Sequence, residues 1–268
     1  MSVEDDAVLR YVAGMRQLWG LADYGALAAR LAPAASALIG AVGPLAGRRV
    51  LDLAAGTGTV ALMAAEQGAR ASACDITPRM VERGRQASIA AGLTVEWREA
   101  NAETLPWPDD SFDYVLSSFG LIFLPRPAIA LTELRRVLRT GGLLGFTAWT
   151  PHGFMGSMTK IMQHWLPPPP GIADILDWGR TAVVWERLTD SALMPVRMQR
   201  LCLPWRFDSS PAMTEFLLAH SPAHQASARA LGRQAGEMFK AVERLASPDG
   251  GAVRIGAEYL LTVAQAQE

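Results

Sequence analysis

The chain has 268 residues, half of them hydrophobic, enough for one large α/β domain with additions or for two modest ones. Its 25 Lys+Arg against 26 Asp+Glu leave a net charge of -1, so it lacks the concentrated positive charge that follows nucleic-acid phosphates. Cys74 and Cys202 could pair in principle but form no disulfide framework and no zinc-ligand spacing, which points to a reducing cytoplasm. Glu4, Asp5 and Asp6 stand where a secretory leader would need a basic start, and no run approaches ~20 uninterrupted apolar residues, so no membrane span is expected.

In chain order, residues 8–42 read as helical, with Leu9, Val12, Trp19, Leu27, Leu31, Leu38 and Val42 recurring at roughly helical spacing. Residues 48–53 change to a short apolar run suited to a buried parallel strand. A Gly-rich turn then leads to a helix over 59–67, a strand over 71–75, a helix over 78–91 and a strand over 94–98. A strand over 112–117, a helix over 128–138 and a strand over 142–148 complete the alternation. Strands and helices alternating at these lengths imply right-handed βαβ units and an α/β, doubly wound sheet. Residues 151–195 are rich in Met, Trp and Pro, with the rigid run 167–170, and read as an insertion over the sheet. A strand over 198–206, a helix opening at Ser221-Pro222 and running towards Leu245, and a strand over 254–264 are expected to finish the sheet.

The densest chemistry lies in Val50-Leu51-Asp52-Leu53-Ala54-Ala55-Gly56-Thr57-Gly58-Thr59. Gly56 and Gly58 allow backbone amides and a ligand to approach without a Cβ in the way, although a tight turn alone would also need glycine. The same loop fits a loose dinucleotide fingerprint. Asp52 at its mouth would repel a pyrophosphate but would attract an ammonium or a sulfonium, and S-adenosylmethionine carries both. Asp75 ends the next strand about 20 residues on, placed to accept from ribose hydroxyls. Thr77 takes the helix cap and leaves Asp75 for a ligand. Ile76 and Met80 then flank the adenine.

The third segment is Asn101-Ala102-Glu103-Thr104-Leu105-Pro106-Trp107-Pro108-Asp109-Asp110-Ser111-Phe112-Asp113. It is followed by Ser117-Ser118-Phe119-Gly120-Leu121-Ile122-Phe123 and by Glu133-Leu134-Arg135-Arg136-Val137-Leu138-Arg139-Thr140-Gly141-Gly142. In this order and spacing the chain resembles the class I methyltransferases of the ubiquinone/menaquinone-biosynthesis type, over roughly residues 20–150. The resemblance implies a Rossmann-like, seven-stranded, mostly parallel sheet with a helical lid over 1–45, a cofactor-binding core over 46–150, a helical cap over 151–195 and completing elements over 196–268. It implies S-adenosyl-L-methionine as cofactor and methyl transfer to a small molecule. It places Gly56 and Ala54 under the methionine part, Asp75 on the ribose, Asn101 and Ala102 (with Glu103 beside them) on the adenine, and the Ser117 carbonyl near the ammonium. Tyr24 falls in the lid close to the sulfonium. Two departures stand out: Ala54 replaces the turn's first glycine and is expected at negative φ, and Asn101 replaces an acid but keeps a carbonyl and an NH₂ for adenine.

A base is needed only if the acceptor loses a proton. Tyr24, His152, His164, His220 and His224 are the candidates, with His152 nearest the fifth strand. No acid cluster with metal-ligand spacing is present, so no metal is expected. Phe154, Met155, Met158, Met162, Trp165 and Trp178 in 151–195 suit an apolar or aromatic acceptor, such as a natural-product precursor, although such a stretch at helical spacing is more often plain core. The expected partner is that small molecule, without nucleic acid or membrane, with a homodimer left open. A non-catalytic S-adenosylmethionine-binding module and a nicotinamide-dependent oxidoreductase remain as alternatives from the residues alone.

Overall fold

Apolar runs bounded by glycine turns become buried strands here, because a parallel strand covered on both faces needs no polar alternation. The computed structural model describes residues 3–21 and 23–268. Met1, Ser2 and Ala22, part of the expected lid, lie outside the described residues, as do the side chains of Val3, Glu4 and Asp5. Two helices come first, α1 (Val3–Leu18) and α2 (Gly25–Val42). The alternating core follows as β1 (Arg49–Leu53), α3 (Thr59–Glu66), β2 (Arg70–Asp75), α4 (Pro78–Ala90), β3 (Val95–Glu99) and β4 (Phe112–Ser118). A 3-10 turn (Leu121–Phe123), α5 (Pro127–Val137) and β5 (Leu138–Trp149) close that half. Then come α6 (Phe154–Trp165), a second 3-10 segment (Ile175–Gly179), α7 (Thr181–Thr189) and β6 (Leu193–Phe207). The chain ends through α8 (Ser210–His220), α9 (Pro222–Leu231), α10 (Ala235–Ala246) and β7 (Val253–Ala266).

The seven strands form one sheet in the order β3-β2-β1-β4-β5-β7-β6, with β1 to β5 parallel and β7 antiparallel to both of its neighbours. This is the expected mostly parallel, doubly wound α/β sheet. The strand order reverses between β1 and β4, and the crevice outside their carboxyl ends is where such sheets bind ligands. Helix α2 carries a mean hydropathy of 1.5 and is long and apolar enough, by length and composition, to cross a membrane. Its Ala34, Ala35, Leu38, Ile39 and Val42 are buried in the main core against Tyr114 and Leu116 of β4, which accounts for that composition.

The C-terminal third departs from expectation in three places. The helix opening at Pro222 does not run on to Leu245: it breaks at Gly232, whose φ of 53° lies in a region that glycine enters freely. Helix α8 was not anticipated, although Ser209 marks its start by accepting from the Ala212 N–H at 3.2 Å. The segment 151–195, expected as a cap, contributes no residue to the cleft at the carboxyl ends of β1, β2 and β4. It is the connection from β5 to β6, with α6 packed on β7 and α10 and α7 packed on β6 and α5. Trp178 is fully buried edge-on to Phe146 of β5, at 5.5 Å between ring centres, while Met155 and Met158 lie in the main core.

Trp178→Ala is therefore expected to cost about 3–5 kcal/mol of folding stability, the range for deleting a buried aromatic ring. Urea unfolding measures it directly, and a loss below 1 kcal/mol would return Trp178 to a surface or pocket role.

Candidate functional site

A cleft of about 1120 Å³, counted out to its open mouth, lies over the carboxyl ends of β1, β2 and β4. Its floor is the loop after β1, held by the Ala55 N–H donating to the Cys74 carbonyl at 2.9 Å and the Gly58 N–H donating to the Ala55 carbonyl at 2.8 Å. Ala54, Gly56 and Gly58 have φ of 51°, 56° and 88°. Ala54 is thus not at the negative φ expected of it. Alanine takes the left-handed conformation there, at a cost of roughly 1–2 kcal/mol. Gly56 faces the cleft beside Tyr24. Gly58 does not line the cleft, and a Cβ on it would lie 2.6 Å from the Trp97 ring. Its glycine serves the packing of β3 against the turn, not a ligand.

Two buried carboxylates meet in this floor. Asp75 accepts from the Gly56 N–H at 2.9 Å with one oxygen and from the Thr77 N–H at 2.8 Å with the other, so it joins the loops after β1 and β2. Burial pushes its pKa up while those N–H donors pull it down. Thr77 stands at the helix cap position without a capping side-chain bond, so the backbone of that turn relies on Asp75. Asp52 accepts from the Ala61 N–H at 2.9 Å. Burial, opposed by that bond and aided by the charge of Asp75, raises its pKa to about 7. A site with two acids, both disfavoured as anions, favours an occupant that brings positive charge and hydroxyl donors.

The adenine-side expectations come together in the same cleft: Ile76, Met80, Asn101 and Ala102 line it beside Asp75. The Asn101 side-chain carbonyl accepts from the Glu103 N–H at 3.0 Å, which leaves its NH₂ for the cleft. Glu103 itself does not line the cleft. Its buried carboxylate pairs with Arg126 and fixes the loop from beneath. Ser117 is fully buried and also outside the cleft, where its neighbour Ser118 stands. Its hydroxyl donates to the Leu53 carbonyl at 2.8 Å and accepts from the Leu121 N–H at 2.9 Å, tying β1 to the turn after β4.

The far wall is the N-terminal helix pair. Tyr11, Val12, Met15 and Trp19 of the α1 region line the cleft. Arg16 pairs with Glu99, and the Gly20 carbonyl accepts from Arg79 at 2.8 Å. Trp19 sits edge-on to Tyr24 at 5.7 Å and to Phe123 at 5.0 Å. Tyr24 is turned into the cleft, and burial together with the charge of Asp75 holds its hydroxyl well above the usual phenol range, so it stays protonated at neutral pH. None of the four histidines lines this cleft. His152 is exposed, so the expected pocket base is displaced from the site by the turn that precedes α6. His224 is buried against Ser221, with its pKa lowered to about 4.

Among the described residues no cluster of His, Cys, Asp and Glu could hold a metal ion. Sequence reasoning missed Tyr11, Met15, Phe119 and Phe123 as lining residues. The first two share a helix face with Trp19 at steps of four, a stripe that was legible. Phe119 and Phe123 follow β4 in a turn whose geometry no periodicity reports.

Residues 51–146 match the family model for a methyltransferase domain. A functionally uncharacterised protein of Mycobacterium tuberculosis is 37% identical over 208 residues, covering 75% of this chain and 74% of its own. The demethylmenaquinone methyltransferase of Clavibacter sepedonicus is 49% identical over 102 residues, 38% of this chain and 41% of that protein. The YcgJ protein of Bacillus subtilis shares the fold with a TM-score of 0.63 at 19% identity, covering 87% of this chain and 98% of its own. With two acids and a glycine turn at the switch point of the sheet, the chain belongs to the class I methyltransferases, takes S-adenosyl-L-methionine as its cofactor and is of the small-molecule type.

Proposed function

We propose that this methyltransferase acts on an apolar or aromatic small molecule, a metabolite or natural-product precursor, in the cytoplasm. The carrying observation is the composition of the cleft: apart from Asp52 and Asp75, its walls are dominated by apolar and aromatic side chains, with Trp19, Tyr11, Met15, Leu31 and Phe123 prominent. The residues present fit the cofactor. Asp75 would hold the ribose hydroxyls, and Ile76, Met80, Asn101 and Ala102 the adenine. The backbone of residues 54–56 with Asp52 would take the cationic methionine end. When bound, that cofactor supplies an electrophilic methyl group.

The chain's own contribution is alignment and exclusion of water, which serve a displacement that disperses charge. Tyr24 lines the cleft with its hydroxyl kept protonated by burial, so it would act by donating a hydrogen bond rather than as a phenolate. The acceptor wall is formed by α1 and the turn after β4, not by residues 151–195.

Three measurements test this reading. Release of S-adenosylhomocysteine is expected with phenolic ring acceptors and not with small polar amines, and Tyr24→Phe is expected to slow it at saturating acceptor while leaving cofactor affinity within about threefold, ~0.7 kcal/mol. Turnover confined to polar amines removes the apolar-acceptor reading, and an unchanged rate makes Tyr24 structural. Asp75→Ala is expected to weaken S-adenosylhomocysteine binding by ~1.5–3 kcal/mol, the scale for hydrogen bonds to a charged group. Calorimetry showing full affinity would move the ribose elsewhere.

The third is a pH dependence. Asp52 titrates at about 7 without ligand, and a cation beside it favours the carboxylate. Binding of S-adenosylmethionine at pH 6 should then release a proton, and affinity should climb as pH rises towards about 7. Calorimetry at pH 6 in buffers of different ionisation enthalpy reads the proton, and its persistence in Asp52→Asn would exclude this carboxyl as the source.

A further inference from the structure

Phe119 stands at the end of β4 with φ of 59°. For a bulky residue this is a backbone outlier, and such strain persists only where the surroundings over-determine it. Its N–H donates to the Thr147 hydroxyl at 3.1 Å, and one face of its ring lies on the Trp149 indole, 4.0 Å between centres and 20° from parallel. Tyr259 stands edge-on to the same ring at 5.7 Å. Phe119 lines the cleft, whereas Trp149 and Tyr259 do not. Leu31, Ala35 and Val60, which line the same cleft, pack with Phe119 in the main core. The phenyl ring therefore separates the cleft from an aromatic floor and wall that would themselves stack an aromatic guest.

We infer that Phe119 sets the size limit of the methyl acceptor by occupying, with its own ring, the slot above Trp149 and beside Tyr259. The inference rests on the proposed apolar acceptor. In the wild type the acceptor ends against the phenyl ring. Removing that ring opens a flat slot floored by Trp149, and a larger polycyclic acceptor can lay one more ring there. A tryptophan at the same position would shorten the site instead.

The test uses the whole chain loaded with S-adenosylhomocysteine and three phenolic probes of increasing size: phenol, 2-naphthol and 2-anthrol. Phe119→Ala is expected to raise the affinity for 2-anthrol relative to phenol by about tenfold or more, the scale on which an apolar pocket reads one or two carbon atoms. Phe119→Trp is expected to shift the ratio the other way, and Phe119→Leu to fall between Ala and the wild type. Thermal melts accompany each variant. If Ala is unfolded, the Leu and Trp variants still order the ratio. The same probe ratio in every folded variant overturns the assignment of Phe119 while leaving the acceptor class intact. A wild type that binds none of the three probes overturns the apolar-acceptor reading and this inference with it.

Discussion

The carboxylate of Asp75 holds the site together, because it accepts backbone N–H bonds from two different loops at once. One oxygen fixes Gly56 in the turn after β1, and the other fixes Thr77 at the start of α4. Each loop alone would leave a buried N–H unpaired, at about 1–3 kcal/mol. The cost is a second acid close to the first: Asp52, one residue before the end of β1, neighbours Asp75 at the end of parallel β2, and the charge of Asp75 helps to raise the pKa of Asp52. Burial thus disfavours negative charge in this floor and raises the pKa of both acids. A pyrophosphate would aggravate that, while a ligand bearing ammonium and sulfonium charges relieves it. On the proposed reading, the same two residues that shape the turn would also favour a cationic cofactor.

The acceptor side is built on a different principle. The part of the cleft proposed for the acceptor has few fixed charges, and its walls come from α1 and the turn after β4. The polar contacts of the α1 wall are an exposed pair, Arg16 with Glu99, and a part-buried bond from the Tyr11 hydroxyl to the Phe123 carbonyl at 3.4 Å. Exposed ion pairs of this kind contribute little stability. A wall held this lightly suits the entry of a guest better than one welded into the core, and the aromatic contacts of Trp19 with Tyr24 and Phe123 give it apolar closure.

Much of this was legible in the residues, and the boundary is physical. Period and turn chemistry located every strand of the sheet, since a buried parallel strand and an amphipathic helix differ in period. Asp52, Gly56, Asp75, Ile76 and Met80 were legible as lining because they sit near strand ends, and Asn101 and Ala102 through the resemblance to the methyltransferase family. Residues 151–195 were ambiguous because methionine and tryptophan at helical spacing look alike against a cavity and against a core. Only the crossover from β5 to β6 decides it, burying Trp178 on Phe146. His152 was misplaced by the turn before α6. The role of Gly58 was hidden because its partner, Trp97, lies 39 residues on by the numbering of the chain.

The sign of φ at Ala54 illustrates a deeper limit, because it depends on a partner in another loop. Ala54 and Phe119 are both non-glycine residues in the left-handed region, and each directly follows one of the two strands that flank the switch point. Gly120 lies between them. A Cβ on it would come within 2.5 Å of the Ala54 carbonyl oxygen and 2.7 Å of the Ala54 Cβ. Position 54 can carry a methyl group because position 120 has none. The two loops interlock through that contact and through the Ser117 hydroxyl, which bonds to the Leu53 carbonyl and the Leu121 N–H. The backbone that would cradle the cofactor's methionine end and the backbone that aims Phe119 are consequently tied into one unit, against which the proposed methyl donor and acceptor would both be placed.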